Sequence, residues 1–178
     1  MPRLRGDLMV IEINQQKRYQ KVVSDILENE SFQSTRTFIH HKDITCLDHA
    51  VHVSYISFCL AEKHGIDPVS TARGALLHDF YLYDWHKRRP DDSRLLQLHG
   101  FRHPNIALQN AQEQFEVNAV EADIIKKHMW PLTLFWLPKT KASILVLMAD
   151  KYCTAKEIIH AKTRRRIKKL VAALYAEK

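Results

Sequence analysis

Glycine and proline are scarce in this chain of 178 residues, four and six in all. A fold of many short strands and tight turns needs more of both, which points away from a sandwich or barrel. Cysteine is scarcer still, and Cys46, Cys59 and Cys153 stand at no CxxC spacing. An odd, scattered set makes neither a disulfide framework nor a zinc finger and fits reduced thiols in a cytoplasmic protein. No apolar run approaches 18 residues, so no segment is expected to span a membrane. Residues 1–7 lead into a short apolar-leaning stretch without a small-residue cleavage site, so a secretory signal is not expected. Strand alternation is nearly absent.

What is present is helical patterning. Hydrophobic residues make up 46% and charged residues 26% of the chain, the balance of a globular protein. Its length suits one domain over residues 1–178, able to bury about 68–70% of its unfolded surface. The net charge of +7 comes partly from Arg164, Arg165, Arg166, Lys168 and Lys169. Such a run is either a solvated helix face or a source of attraction for anionic substrates, nucleotides and RNA included.

A first helix is expected over residues 14–30, where Tyr19, Val22, Val23, Ile26 and Leu27 form an apolar stripe. Residues 31–45 are polar and irregular and carry His40 and His41. A long helix follows from Thr45 or Asp48 to Lys63, stopped by Gly65. Asp67 and Pro68 open a third helix as N-cap and first residue. An aromatic piece, residues 81–86, and a basic loop through Arg94 separate it from a helix over 105–115. Further helices are expected over 118–128, from Ser143 to about His160, and from Thr163 onward, with an aromatic-rich loop at 132–138. The fold class is therefore all-α.

Six polar residues interrupt these apolar segments at intervals of about one helix plus one loop: His49, His78–Asp79, His103, His128 and Asp150. Asp150 closes the run Ile144–Ala149, and His78–Asp79 follows Gly74–Leu77. A lone ionised carboxylate in such a setting costs several kcal/mol. One shared divalent cation satisfies the acids and the imidazoles together. Imidazole and carboxylate ligands suit iron, manganese, zinc or nickel, and the lack of cysteine among them argues against a structural zinc site. His49, His78, Asp79 and Asp150 would hold one ion; His103 and His128 add ligands for a second, with Asp79 as the bridge. Two ions about 3.5–4 Å apart can hold a phosphoryl oxygen and activate water at neutral pH. For each histidine alone the plainer reading is a satisfied or partly exposed side chain. His40, His41, His52, His64, His86, His99 and His160 are read as surface residues or as supports behind the ligands, with His41 and His86 the two to watch.

Leu47–Asp48–His49–Ala50, Leu76–Leu77–His78–Asp79 and Met148–Ala149–Asp150–Lys151, in that order, resemble the HD superfamily of metal-dependent phosphohydrolases. His103 and His128 between the pair and the last aspartate are similar to its six-ligand variant. That variant includes bacterial di-iron bis(5′-nucleosyl)-tetraphosphatases and cyclic-dinucleotide phosphodiesterases. The resemblance covers roughly residues 45–156 and extends in local phrasing to small HD proteins of Gram-positive bacteria. It implies an HD-domain helical bundle with the helices at 14–30 and 163–176 packed on a metal-binding core. It implies two divalent ions, iron or manganese foremost, with zinc, nickel or magnesium as alternatives. Two departures stand out. Leu82 occupies the place where many HD proteins have a phosphate-holding lysine, and the Gly-Tyr-Pro extension of cyclic-di-GMP enzymes is missing.

The resemblance implies hydrolysis of a phosphate ester or anhydride in a small, nucleotide-like substrate. Asp79 would orient the attacking water as well as bridge. Arg73, Lys87, Arg102 and Lys151 are candidates for holding phosphate oxygens, or are surface charges. Trp85, Trp130 and Trp136 either stack a base or pack as core and lid. Alternatives are a phosphodiesterase on cyclic nucleotides or RNA ends, and a non-catalytic HD module that binds a nucleotide or a partner protein.

Overall fold

The structure, a computed structural model, describes residues 13–83 and 99–176. Among these, eight α-helices and one two-stranded hairpin are present, so the chain is an all-α bundle. No described helix is long and apolar enough to cross a membrane.

The first helix, α1 (Ile13–Glu28), buries Tyr19, Val23, Ile26 and Leu27, the stripe read from the sequence. It ends earlier than expected because Asn29 caps a new short helix, α2 (Glu30–Ser34), accepting a hydrogen bond from the Phe32 amide at 2.9 Å. The segment expected to be irregular is ordered: a 3-10 turn (Thr35–Thr37) leads into β1 (Ile39–His41), which pairs antiparallel with β2 (Ile44–Thr45).

Sequence-coded caps set the next helices. Thr45 and Asp48 form a capping box at the start of α3 (Cys46–His64), and Gly65 ends it in the left-handed region at φ 65°. Asp67 caps α4 (Pro68–Leu77) by accepting from the Val69 and Ser70 amides. The helix α5 (His99–Gln114) begins well before the expected residue 105, with Pro104 inside it. At the sixth position of the helix, Pro104 lacks the N–H that would bond back to the carbonyl four residues before it. Asn118 and Glu121 box the start of α6 (Ala119–Lys127). Thr140 caps α7 (Lys141–Ile159), moving its start upstream of Ser143, and α8 (Ala161–Ala176) follows after His160.

The central element is α3, buried on nearly every side. Leu47, Val51, Tyr55 and Phe58 join α1, the end of α4 and Ile167, Leu170, Val171 and Leu174 of α8 in one apolar cluster. On its other side Val53 and Ile56 meet Ala75, Ile124, Val146 and Cys153. Helices α4 and α6 pack tightly at Gly74, where an added Cβ would lie 3.1 Å from the Glu121 Cα. That contact brings the C-terminal ends of both helices, His78 and His128, side by side.

Candidate metal centre

His49 projects from α3, His78 and Asp79 from the end of α4, and His103 from α5. His128 caps α6, and Asp150 sits mid-way along α7. Every one is buried, none more than 8% exposed. The structure brings all six together. Asp150 Oδ1 is 3.2 Å from His49 Nε2 and 3.9 Å from His78 Nε2. Asp79 Oδ2 is 3.5 Å from His78 Nε2, while its Oδ1 is 3.1 Å from His103 Nε2 and 3.4 Å from His128 Nε2. The two outer imidazoles face each other at 2.8 Å, Nε2 to Nε2. Two groups of three have metal-ligand spacing, His49–His78–Asp79 and Asp79–His103–His128, and Asp79 belongs to both.

The local fold decides which nitrogen faces inward. His78 Nδ1 lies 2.7 Å from the Ala75 carbonyl and His128 Nδ1 2.8 Å from the Ile125 carbonyl. A carbonyl oxygen only accepts, so both Nδ1 atoms donate and both Nε2 atoms are left facing the cluster. Each ring reaches back three residues to a carbonyl left free at its own helix's C-terminal end. His78 Nε2 and Asp79 Oδ1 are buried and make no hydrogen bond. Among the described residues, His78 Nε2 has no donor to satisfy it, and Asp79 Oδ1 is faced only by the imidazole nitrogens of His103 and His128, a crowding of ligand atoms that a divalent ion relieves, so the residues present fit one.

Electrostatics point the same way. Burial holds His78 down at about 4, so it is neutral at physiological pH. Burial alone would raise Asp79 and Asp150, but the surrounding imidazoles outweigh it and hold both below the usual carboxylate range. Burial would likewise lower His49, yet Glu157 and Asp150 hold it well above its ordinary value. Without a cation, then, a proton on His49 Nε2 fills the gap to Asp150.

The phosphate-binding candidates separate. Lys151, about half exposed, reaches Asp150 Oδ2 at 3.0 Å and stands at the rim of the cluster. Arg102 is exposed next to buried His103. Arg73 does not approach the cluster: its guanidinium is 2.6 Å from Asp25 and 3.3 Å from Glu121. A turn and a half of helix separates it from His78 and turns it to another face. Trp136 lies beneath the Lys126 ammonium at 5.3 Å. Trp85, His86 and Lys87 lie outside the described residues.

The sequence did not single out Glu157, and it read His40 and His52 as surface residues or supports behind the ligands; the structure brings all three to the edge of the site. Glu157, fully buried, lies 2.9 Å from His49 Nδ1, 2.5 Å from His52 Nδ1 and 3.0 Å from His41 Nε2. It fixes the tautomer of His49 from outside, as carboxylates behind metal-binding histidines do. The signal was in the spacing: His52 falls one turn after His49, and Glu157 two turns after Asp150. The hairpin folds His40 over His49, ring on ring at 4.1 Å.

No protein-family model, curated protein or solved structure matches the chain.

Proposed function

We propose that the chain is a metal-dependent phosphohydrolase of the HD type, cleaving a phosphate ester or anhydride in a small nucleotide-like substrate. The observation that carries this reading is Asp79, shared by two ligand triads, in each of which one imidazole, His78 or His128, donates Nδ1–H to a backbone carbonyl and turns Nε2 inward. In this reading His49, His78, Asp79 and Asp150 hold one ion, and Asp79, His103 and His128 hold the other. A mixed imidazole–carboxylate set without thiolate favours iron or manganese, with zinc, nickel and magnesium as substitutes. Divalent ions there supply charge against a phosphoryl group and lower the pKa of a water.

The chain's own residues do the remaining work. The Ala75 and Ile125 carbonyls keep His78 and His128 in the ligating tautomer, and Glu157 does so for His49. Lys151 exchanges Asp150 for a phosphate oxygen at the rim, and Arg102 offers a second cation. One of them has to serve, because Leu82, 37% exposed, stands where many HD proteins have lysine. In α8, Arg164 and Lys168 are paired with Asp43, which leaves less of the basic run for nucleic acid.

The test is elemental analysis of purified protein, then a panel of mono- and diester phosphates and dinucleoside polyphosphates with iron and manganese supplied. Turnover of a small phosphate compound that stops on chelation is expected. Full metal occupancy with no turnover across the panel defeats the hydrolase reading and leaves a non-catalytic HD module.

A further inference from the structure

His78 and His128 are aimed by their own helices, and His49 is not. Each of the first two stands at a helix C-terminal end, where its Nδ1 donates to a carbonyl three residues back that the helix leaves free. His49 is the fourth residue of α3, and the carbonyls before it are taken up by the helix itself. Its Nδ1 therefore needs an acceptor from another helix, and Glu157 of α7 supplies Oε2 at 2.9 Å. A glutamate is a looser brace than a backbone carbonyl, because its carboxylate turns about several single bonds. One hydrogen bond alone leaves it free to swing.

His52 supplies the second anchor. It lies one helical turn beyond His49 on α3, and its Nδ1 meets Glu157 Oε1 at 2.5 Å. Each carboxylate oxygen thus faces one imidazole of α3, and the three side chains clamp α3 to α7. All three are buried, so solvent does not take the place of either imidazole. His41 is the other imidazole at hand. Its Nε2 stands 3.0 Å from Oε2, the oxygen already facing His49, and makes no hydrogen bond there. Among the described residues that leaves Oε1 to His52. A buried carboxylate oxygen deprived of its donor is costly, so without His52 the carboxylate turns in search of another, and His49 loses its fixed acceptor.

We propose that His52 is a positioning residue for the metal centre, acting through Glu157 to hold His49 Nε2 toward Asp150 and the His78–Asp79 pair. This rests on the reading of the six residues as a two-ion centre. His52 itself belongs to no group with metal-ligand spacing. Its effect is selective. Of the two triads that share Asp79, His49 belongs to one; the other contains His128, which the Ile125 carbonyl aims. Loss of His52 therefore weakens one ion and spares its neighbour, whereas a general loosening of the core weakens both.

The experiment titrates manganese into the full chain, stripped by chelator, by calorimetry, with melts of the metal-free protein to check folding. His52→Leu is expected to bind one equivalent about 10–100-fold more weakly, the loss that follows removal of a ligand's outer partner, and the other as the parent does. His52→Asn sets an amide N–H where Nδ1 stood and is expected to keep the parent affinity. Glu157→Gln turns an N–H toward one of the two imidazoles and should show the same selective loss. Adding His52→Leu to it should lower affinity no further, because both act through one contact. Parent-like binding of both equivalents by His52→Leu overturns the proposal. So does equal weakening of both ions, a His52→Asn protein as weak as His52→Leu, or a double variant whose losses add. Should His52→Leu fail to fold, His52→Gln, whose longer side chain carries the amide past Oε1, takes its place with the same refuting results. A parent protein that takes up no manganese defeats the two-ion centre itself, and this role with it.

Discussion

Replacing Gly74 with alanine sets a methyl group against the contact that spaces the two halves of the centre. The new Cβ would lie 2.8 Å from Ile124 Cδ1 and 3.1 Å from both Ile124 Cβ and Glu121 Cα. The end of the isoleucine can rotate away, but the Glu121 backbone cannot, so α4 and α6 must part by a few tenths of an ångström. Overpacking of this kind costs about 1–3 kcal/mol. Alanine recovers about 1 kcal/mol through its better helix propensity. The net is a loss of about 1 kcal/mol, which lowers the melting temperature by about 2–4 °C in a chain of this size. The larger effect falls on the metal. His78 and Asp79 ride on α4 and His128 on α6, with Asp79 Oδ1 only 3.4 Å from His128 Nε2. Ligands must be held within about 0.5 Å, so metal affinity should fall about 10-fold, the size of loss that disturbed ligand orientation causes. Thermal melts with and without metal, and a manganese or zinc titration, measure both. A variant at least as stable as the parent with unchanged affinity refutes the idea that this close approach sets the spacing.

Other perturbations test the centre directly. Asp79→Ala removes the residue common to both triads and should cut hydrolysis by at least about 100-fold, since metal assistance is worth several kcal/mol; normal turnover at full occupancy refutes the bridging role. His128→Ala should release one metal equivalent from the centre and keep the other, read by elemental analysis; retention of both means the second triad is misassigned. The metal-free protein should lose stability as pH falls from about 6.5 toward 4. His78 is held near 4 when folded, so in that window the unfolded chain binds the extra proton. His49, raised instead, contributes stability that is complete below 6.5 and is lost only at higher pH, so it does not cancel this slope. Melting curves across that range check the sign, and a flat profile contradicts the neutral His78.

The helices were legible because their signals are local. The Thr45–Asp48 box, the Asp67–Pro68 start, Gly65 as a stop and the Asn118–Glu121 box each act within a turn of the backbone, and each helix begins or ends on them. The ordered segment before α3 was not legible. Its hairpin depends on pairing Ile39 with Thr45 around a left-handed Lys42, and no glycine marks that turn. The start of α5 was missed for a related reason: Pro104 reads as a helix opener, yet lies within the helix.

By itself the sequence determined which side chains cannot be left alone in an apolar interior, and so named the six that converge. Desolvation penalises an isolated buried charge whatever the fold, and that penalty is written in the neighbours of His78, Asp79 and Asp150. Only the tertiary structure decided what faces them. It turned Arg73 to Asp25 and Glu121, and set Glu157 among three histidines. It also folded the hairpin so that His40 and His41 stand behind His49. Those placements depend on helix rotation and on contacts between residues far apart in the chain, which local spacing does not encode.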